Sequence, residues 1–246
     1  MSGAIRHAKE NVMSDHKISS HEEWIAARTA FLQKEKEFTR LREELARERR
    51  ELPWERVTKQ YVFQGERGRE TLADLFDSRT QLIVYHFMFE PDWEIGCRGC
   101  SFWADNFNGV IAHLNQRDVT FVATSRAPLE KLQAQARQFG WTFKWVSCVG
   151  DDFNQDYNVW FSPAELDRDE AAYNYGSEKV TKPSKPGISS FLKDGPHIFH
   201  TYSTYGRGLD MMNTAYQYLD IAPRGRDENG LPFPMAWVKH RIAYGA

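Results

Sequence analysis

The sequence predicts an α/β fold: a central mixed sheet built on a β-α-β-α-β run, closed by a β-hairpin and a helix, with a helical arm at the N-terminal end. Three observations predict it. Apolar strand-like runs at 81–89, 118–124 and 143–149 alternate with stretches of helical periodicity, which calls for parallel strands and right-handed crossovers. The turn signal Asp194-Gly195-Pro196 then joins two further strand candidates, 188–193 and 197–202. Between the first strand and the first helix stands Cys97-Arg98-Gly99-Cys100, two thiols within one helical turn.

Taken in order, Ser20 and Glu23 form a capping-box signature, and Trp24, Phe31, Phe38 and Leu45 recur every seven residues behind it, with Ala27 and Leu41 between. The stretch 34–51 carries seven basic and six acidic residues, many spaced for i,i+4 pairing, and Pro53 ends the helix. Three uses of this stripe stay open: packing on the main domain, a homodimer seam, and, against the cancelling charges, contact with nucleic acid. Tyr61-Val62-Phe63 is a short strand candidate, followed by a charged turn with Gly65 and Gly68. Residues 71–76 read as a helical turn capped by Thr71. The run 81–89 is apolar almost throughout, as a central strand buried on both faces should be.

Behind the cysteines, Phe102, Trp103, Phe107, Val110, Ile111 and Leu114 fall at helical spacing. Pro128 opens the next helix, whose apolar face is Leu129, Leu132, Ala136 and Phe139, and Gly140 ends it. Residues 161–186 show no clear period and read as an insertion or long surface loop. Leu209, Met212, Tyr216 and Leu219 give a final amphipathic helix. Phe233, Trp237, Val238 and Tyr244 then suggest that the loop-rich tail packs down. The domain reading is an N-terminal segment 1–57, a domain 58–220 with an insertion near 161–187, and a tail 221–246.

Composition narrows the function classes. A chain of 246 residues with 41% hydrophobic and 14% aromatic content can build a sizeable core. A formal net charge of -2 gives no reason to expect nucleic acid or an anionic membrane as partner. Three cysteines, an odd number, argue against a secreted disulfide framework. The polar stretch 1–17 shows no signal peptide, and no apolar run approaches the roughly 20 residues of a membrane span. The expected compartment is a reducing cytoplasm, where a Cys-x-x-Cys is reactive or metal-binding more often than structural.

The order of elements around the cysteine pair resembles a thioredoxin fold. The extra strand before Thr71, and the pattern Ser125-Arg126-Ala127-Pro128, Gly140, Asp151-Asp152 and Tyr157-Asn158-Val159, are similar to the peroxiredoxin and redoxin branch. More closely still, the chain resembles the bacterial domain-of-unknown-function 899 family. Five stretches carry that likeness: Tyr85-His86-Phe87-Met88-Phe89, Cys97 to Ser101, Asp152-Phe153-Asn154, His200 to Tyr205, and Leu219-Asp220. The resemblance covers most of the chain and implies fold rather than mechanism. The pattern also departs from its relatives. Thioredoxins carry Trp before the first cysteine and Gly-Pro between the two, where this chain has Gly96 and Arg98-Gly99. The peroxiredoxin motif Pro-x-x-x-Thr-x-x-Cys is absent, Pro91 being one residue out of register. Thioredoxins also set a cis-proline opposite the cysteines, and Pro186 is the candidate here.

The resulting expectation is a thiol–disulfide oxidoreductase with no cofactor beyond its own redox-active disulfide, acting on a protein or small-molecule disulfide or thiol. Cys97, at the exposed helix start, is the attacking thiolate and the more buried Cys100 resolves the mixed disulfide. Arg98 adds positive charge, while Glu90, Asp92 and Glu94 oppose it. His200, Tyr202 and Tyr205, in a stretch rich in hydrogen-bonding groups, are candidates to line the substrate site; the bland alternative is that they pack and turn the chain. Two other classes stay open. One is a non-catalytic binding or oligomerisation module using the N-terminal helix. The other is a copper or zinc site formed by Cys97, Cys100 and a histidine such as His200. His86, His113 and His197 are further candidate ligands, a histidine in an aromatic strand being more often a packed or hydrogen-bonded core residue, and Cys148 reads as a buried apolar residue, with a third redox thiol or a metal ligand as the rivals.

Overall fold

The computed structural model describes residues 16–150 and 152–245; most of the polar stretch 1–17, and Asp151 of the acidic turn, lie outside the described residues. The described residues divide after Glu51 into two compact units.

The first unit is one helix, α1 (His21–Glu51), whose start is the expected capping box. Ser20 Oγ accepts the Glu23 N–H at 3.2 Å, and Glu23 Oε2 accepts the Ser20 N–H at 3.0 Å. Arg28–Glu35 and Arg47–Glu51 pairs decorate the helix. None of its residues is buried, and the stripe Trp24, Phe31, Phe38 and Leu45 is 50–65% exposed.

The second unit is built on an eight-stranded mixed sheet. Its strands are β1 (Glu55–Val57), β2 (Val62–Gly65), β3 (Gly68–Thr71), β4 (Gln81–His86), β5 (Val119–Ser125), β6 (Lys144–Ser147), β7 (Gly187–Asp194) and β8 (His197–Tyr205). The spatial order is β1-β8-β7-β4-β5-β6-β2-β3. β4, β5 and β6 run parallel, and every other neighbouring pair is antiparallel. The helical elements are α2 (Arg98–Ala104), α3 (Ile111–Gln116), α4 (Leu129–Phe139), α5 (Phe153–Asp156), α6 (Pro163–Asp167) and α7 (Thr214–Ile221). Strand, helices, strand, helix and strand, then the β7–β8 hairpin and α7, make this a thioredoxin-like fold. Two features exceed the sequence reading. β1, placed above with the N-terminal segment, pairs with β8, and the charged turn after Phe63 is a β2–β3 hairpin.

β4 sits between β5 and β7, so both its faces are covered. Alternation sends Leu82 and Val84 into one core with Phe63, Phe76, Phe153 and Phe191. Tyr85 enters the other core, with Phe107, Phe121, Leu132 and Trp145.

Three expected elements differ, each for a local reason. The helical pattern behind the cysteines is two helices. Asn106 Nδ2 donates back to the Phe102 and Trp103 carbonyls at 2.8 and 3.2 Å, competing with the helix ladder, and Gly109 follows. The final helix is a 3-10 stretch (Gly206–Met212) followed by α7, because Asn213 caps α7 by accepting the Tyr216 N–H at 3.3 Å. The segment 161–186 is not a bare loop. It holds the Ser162/Glu165-capped helix α6 and a small apolar cluster of Val159, Phe161, Tyr173, Val180 and Tyr205.

Candidate functional site

Cys97 stands at the N-cap of α2 and is partly exposed; Cys100 is one turn in and buried. The loop before them is held from several sides. Gly96 N–H donates to Gln135 Oε1 at 2.7 Å, Cys97 N–H to the Met88 carbonyl at 3.0 Å, and Lys131 Nζ to the Pro91 and Trp93 carbonyls at 2.8 Å each. Gly96 is required by space: a Cβ there would lie 2.6 Å from the Phe87 ring, so the tryptophan of thioredoxins has no room. Of the acidic approach residues, Glu90 is buried and neutralised. Arg126 Nη1 lies 2.9 Å from its carboxylate and the Ser184 hydroxyl donates to it, so its charge does not oppose a thiolate at Cys97.

The pair is electrostatically asymmetric. Cys97 is lowered to about 7, chiefly because the Cys100 thiol donates to it, against a desolvation that works the other way. The Cys100 and Gly99 backbone N–H groups and the Arg98 charge add to the lowering. Cys100 is pushed well above the ordinary thiol value by burial and by the charge of Cys97. Its sulfur is nevertheless furnished with donors: the Met88 N–H at 3.4 Å and the hydroxyl of Tyr85. Tyr85 is fully buried and its own ionisation is raised first by that burial. Neither Tyr85 nor Met88 was legible as a site residue; the one available signal was a polar-tipped aromatic inside an otherwise apolar strand.

Of the remaining candidates, Pro186 precedes Gly187, which pairs with His86, so it stands beside the end of β4 that leads into the cysteine loop. It is trans, as is every peptide bond among the described residues, and its carbonyl accepts the Tyr173 hydroxyl at 2.8 Å. Cys148 is fully buried in the apolar core, its S–H directed at the Ser125 carbonyl. Tyr205 donates to the Tyr157 carbonyl at 3.0 Å and packs on Tyr173 and Tyr175, whereas Tyr202 is a half-buried residue paired with Ser190 across the hairpin. His200 lies on the face of the sheet opposite the cysteines. It packs on Tyr157 and Phe191 in the core cluster that takes Leu82 and Val84, and faces a cleft lined by Glu55, Arg56, Tyr157, Tyr175 and Tyr205. The set Cys97, Cys100 and His200 is therefore not assembled. Among the described residues no three His, Cys, Asp or Glu side chains are grouped to hold a metal ion.

His200 instead ends a buried polar chain across three strands. His86 Nδ1 lies 3.1 Å from Asn154 Oδ1, and His86 Nε2 is 2.9 Å from Ser189 Oγ. Ser189 Oγ is 2.8 Å from Ser203 Oγ, which is 2.7 Å from His200 Nε2. The direction of the chain follows from its first member. An amide oxygen only accepts, so His86 carries its proton on Nδ1, and Nε2 must accept from Ser189. Ser203 then donates to Ser189, and His200 Nε2–H donates to Ser203. His200 thus cannot take a proton from Ser203 in this arrangement, despite a Ser–His–Glu sequence of contacts ending at Glu55 Oε2, 3.6 Å from His200 Nδ1. A register shift in β8 makes the chain possible. Ser190 pairs with Tyr202 and Phe191 with His200, so Thr201 is extra and His200 turns to the same face as Ser203.

A family profile described as "Bacterial protein of unknown function (DUF899)" matches residues 13–244. No curated protein matches the chain. Solved structures of similar fold include peroxidoxin BcpB from Mycobacterium tuberculosis, at 12% identity and TM-score 0.46, covering 67% of this chain and 96% of that one. Peroxiredoxin Q from Xanthomonas campestris is 13% identical at TM-score 0.41, covering 64% and 89%. The mitochondrial 2-cys peroxiredoxin from Plasmodium falciparum is 12% identical at TM-score 0.40, covering 66% and 90%. No helix among the described residues is long and apolar enough to cross a membrane.

Two expectations follow. Alkylation of the reduced protein should follow a titration near pH 7, absent from Cys97→Ser and displaced upward in Cys100→Ala, which lacks the S–H donor; an unshifted Cys100→Ala profile contradicts the assignment. The second concerns His86, whose ionisation burial lowers to about 4. Between about pH 6.5 and 4 the unfolded chain binds one more proton at this residue than the native one. Stability should therefore fall as pH drops through that window, by on the order of 3 kcal/mol from this residue. Urea unfolding as a function of pH should show a slope one proton shallower in His86→Gln; equal slopes contradict it.

Proposed function

We propose that this chain, which belongs to the bacterial DUF899 family, is a cytoplasmic thiol–disulfide oxidoreductase that uses Cys97 and Cys100 and no other redox group. The observation that carries the reading is the division of roles within the pair: Cys97, a partly exposed residue at the helix N-cap with its thiol lowered to about 7, beside the buried Cys100, raised well above normal. A thiol near neutrality combines a useful thiolate fraction with retained nucleophilicity.

In the proposed reaction the Cys97 thiolate attacks one sulfur of a substrate R–S–S–R′. A Cys97–S–S–R bond forms and R′S⁻ leaves, taking a proton from solvent. Conversion of Cys97 to a mixed disulfide removes the neighbouring negative charge that helps hold Cys100 protonated. Cys100, with Met88 N–H and Tyr85 O–H as donors to its sulfur, then attacks Cys97 Sγ and expels RS⁻, which carries off the Cys100 proton as RSH. Two electrons pass from the dithiol to the substrate, leaving a Cys97–Cys100 disulfide, which a cellular dithiol reductant returns to the reduced form.

The exposed stripe of α1 supports a second copy of this chain as partner. Its apolar residues repeat every seven positions, and its opposite charges are interspersed as a self-complementary helix pair requires.

Both readings have direct tests. Reduction of dithiobis(2-nitrobenzoate) should be lost in Cys97→Ser, while Cys100→Ser should stop at a trapped mixed disulfide visible by mass spectrometry; turnover by Cys97→Ser overturns the mechanism. Sedimentation at micromolar concentration should give a dimer that Phe31→Glu/Phe38→Glu converts to monomer with thiol exchange unchanged; a monomeric wild type overturns the dimer.

A further inference from the structure

The dipeptide between the cysteines matches no partner-defined class by sequence, and the C-terminal tail supplies its context. Three tail residues meet three residues of the cysteine loop. His240 Nε2–H donates to the Gly96 carbonyl at 2.9 Å. The Phe233 ring lies 5.9 Å from the Arg98 guanidinium carbon. The Met235 methyl stands 3.1 Å from the position a Cβ would take on Gly99, a position itself 3.6 Å from Cys97 Sγ. Glycine at 99 is thus the residue that lets the methionine settle beside the reactive sulfur.

The tail is pinned on both sides of this crossing. Before it, one oxygen of Glu228 accepts from the Tyr216 hydroxyl at 2.9 Å, the Met235 N–H at 2.9 Å and the Trp237 indole N–H at 2.7 Å. Trp237 packs edge-on against Phe102 of α2, and Val238 is fully buried. After it, Arg241 donates to the Phe139 carbonyl and lies 3.4 Å from Asp105. Met235 has φ 69, a left-handed backbone costing about 1–2 kcal/mol outside glycine, so its placement is imposed by these anchors rather than by local preference.

From this strap we infer the substrate class of the Cys97 site: small, non-protein disulfides, with disulfides held in folded proteins excluded. The inference rests on the thiol-exchange reading above. Attack on a disulfide needs its S–S axis brought up to Cys97 Sγ. A protein disulfide carries two backbones with it, their Cα atoms only about 5.5 Å apart. Those backbones must occupy the space beside Gly96, Arg98 and Gly99, which the strap already fills. A low-molecular-weight disulfide brings no such flanks, and Cys97 is the partly exposed member of the pair.

The test separates access from turnover. Reduced full-length protein is alkylated with iodoacetamide and with a maleimide bearing a polyethylene glycol chain, with Cys97→Ser as the control for other thiols. Relative to Glu228→Ala, the wild type should disfavour the bulky reagent at least about tenfold, equivalent to roughly 1.4 kcal/mol of strap opening. His240→Ala, which frees the other side of the strap, should act in the same direction and stands in if Glu228→Ala does not fold. In parallel, the wild type should reduce dithiobis(2-nitrobenzoate) but not insulin, and the loosened variants should gain insulin reduction. Equal alkylation ratios in wild type and a folded loosened variant, or insulin reduction by wild type at the small-disulfide rate, overturn the inference. The expected alkylation ratio with neither disulfide reduced overturns the thiol-exchange reading, and the substrate assignment with it, while the shielding of Cys97 stands.

Discussion

A strand buried on both faces has no solvent to offer a polar side chain, so each such group must find its partner inside the protein. β4 carries two in succession, Tyr85 and His86, and the pleat sends them to opposite sides of the sheet. Tyr85 is satisfied against Cys100 and thereby becomes part of the thiol site. His86 is satisfied by Asn154 and Ser189, and through Ser189 by groups on β8. The two polar centres of the domain arise from one strand and one constraint, which is why they lie back to back rather than together.

The cysteine loop shows the same economy. Its geometry draws on segments far apart in sequence: Gln135 of α4 holds Gly96, Arg126 and Ser184 absorb the charge of Glu90, and residues 228–241 cross its outer side. Arg126 also stacks at 3.8 Å on Trp160, so the segments flanking 161–186 take part in fixing the approach to Cys97. The lowered thiol is a local product of its hydrogen bonds. The orientation of the loop that offers it belongs to the whole domain.

Much of this was legible from residues alone. The Ser20/Glu23 cap, the apolar run of β4, Pro128 and Gly140 around α4, and the Gly195-Pro196 hairpin each carry a local signal strong enough to place an element. So does the spacing of Cys97 and Cys100. What was not legible depended on competition or distance. Asn106 and Asn213 interrupt apolar periodicity with hydrogen bonds that the period does not record. β1 and β3 are too short for alternation to show. His200 is separated from Ser203 by an odd interval, so a regular strand places them on opposite faces, and only the extra residue Thr201 brings them together. Glu228 and Met235 act on the site from more than a hundred residues away, and no local pattern marks them.

The polar chain from Asn154 to His200 has a consequence for how the strands recognise one another. Because β4 is apolar on both faces, hydrophobic pattern alone specifies its register with β7 only weakly. A two-residue slip of β7 would part Ser189 from Ser203 and break the chain between His86 and His200, leaving buried donors and acceptors unmatched. Hydrogen bonds with a defined direction therefore act as a key cut for one register, in a part of the sheet where hydrophobic pattern alone would accept more than one.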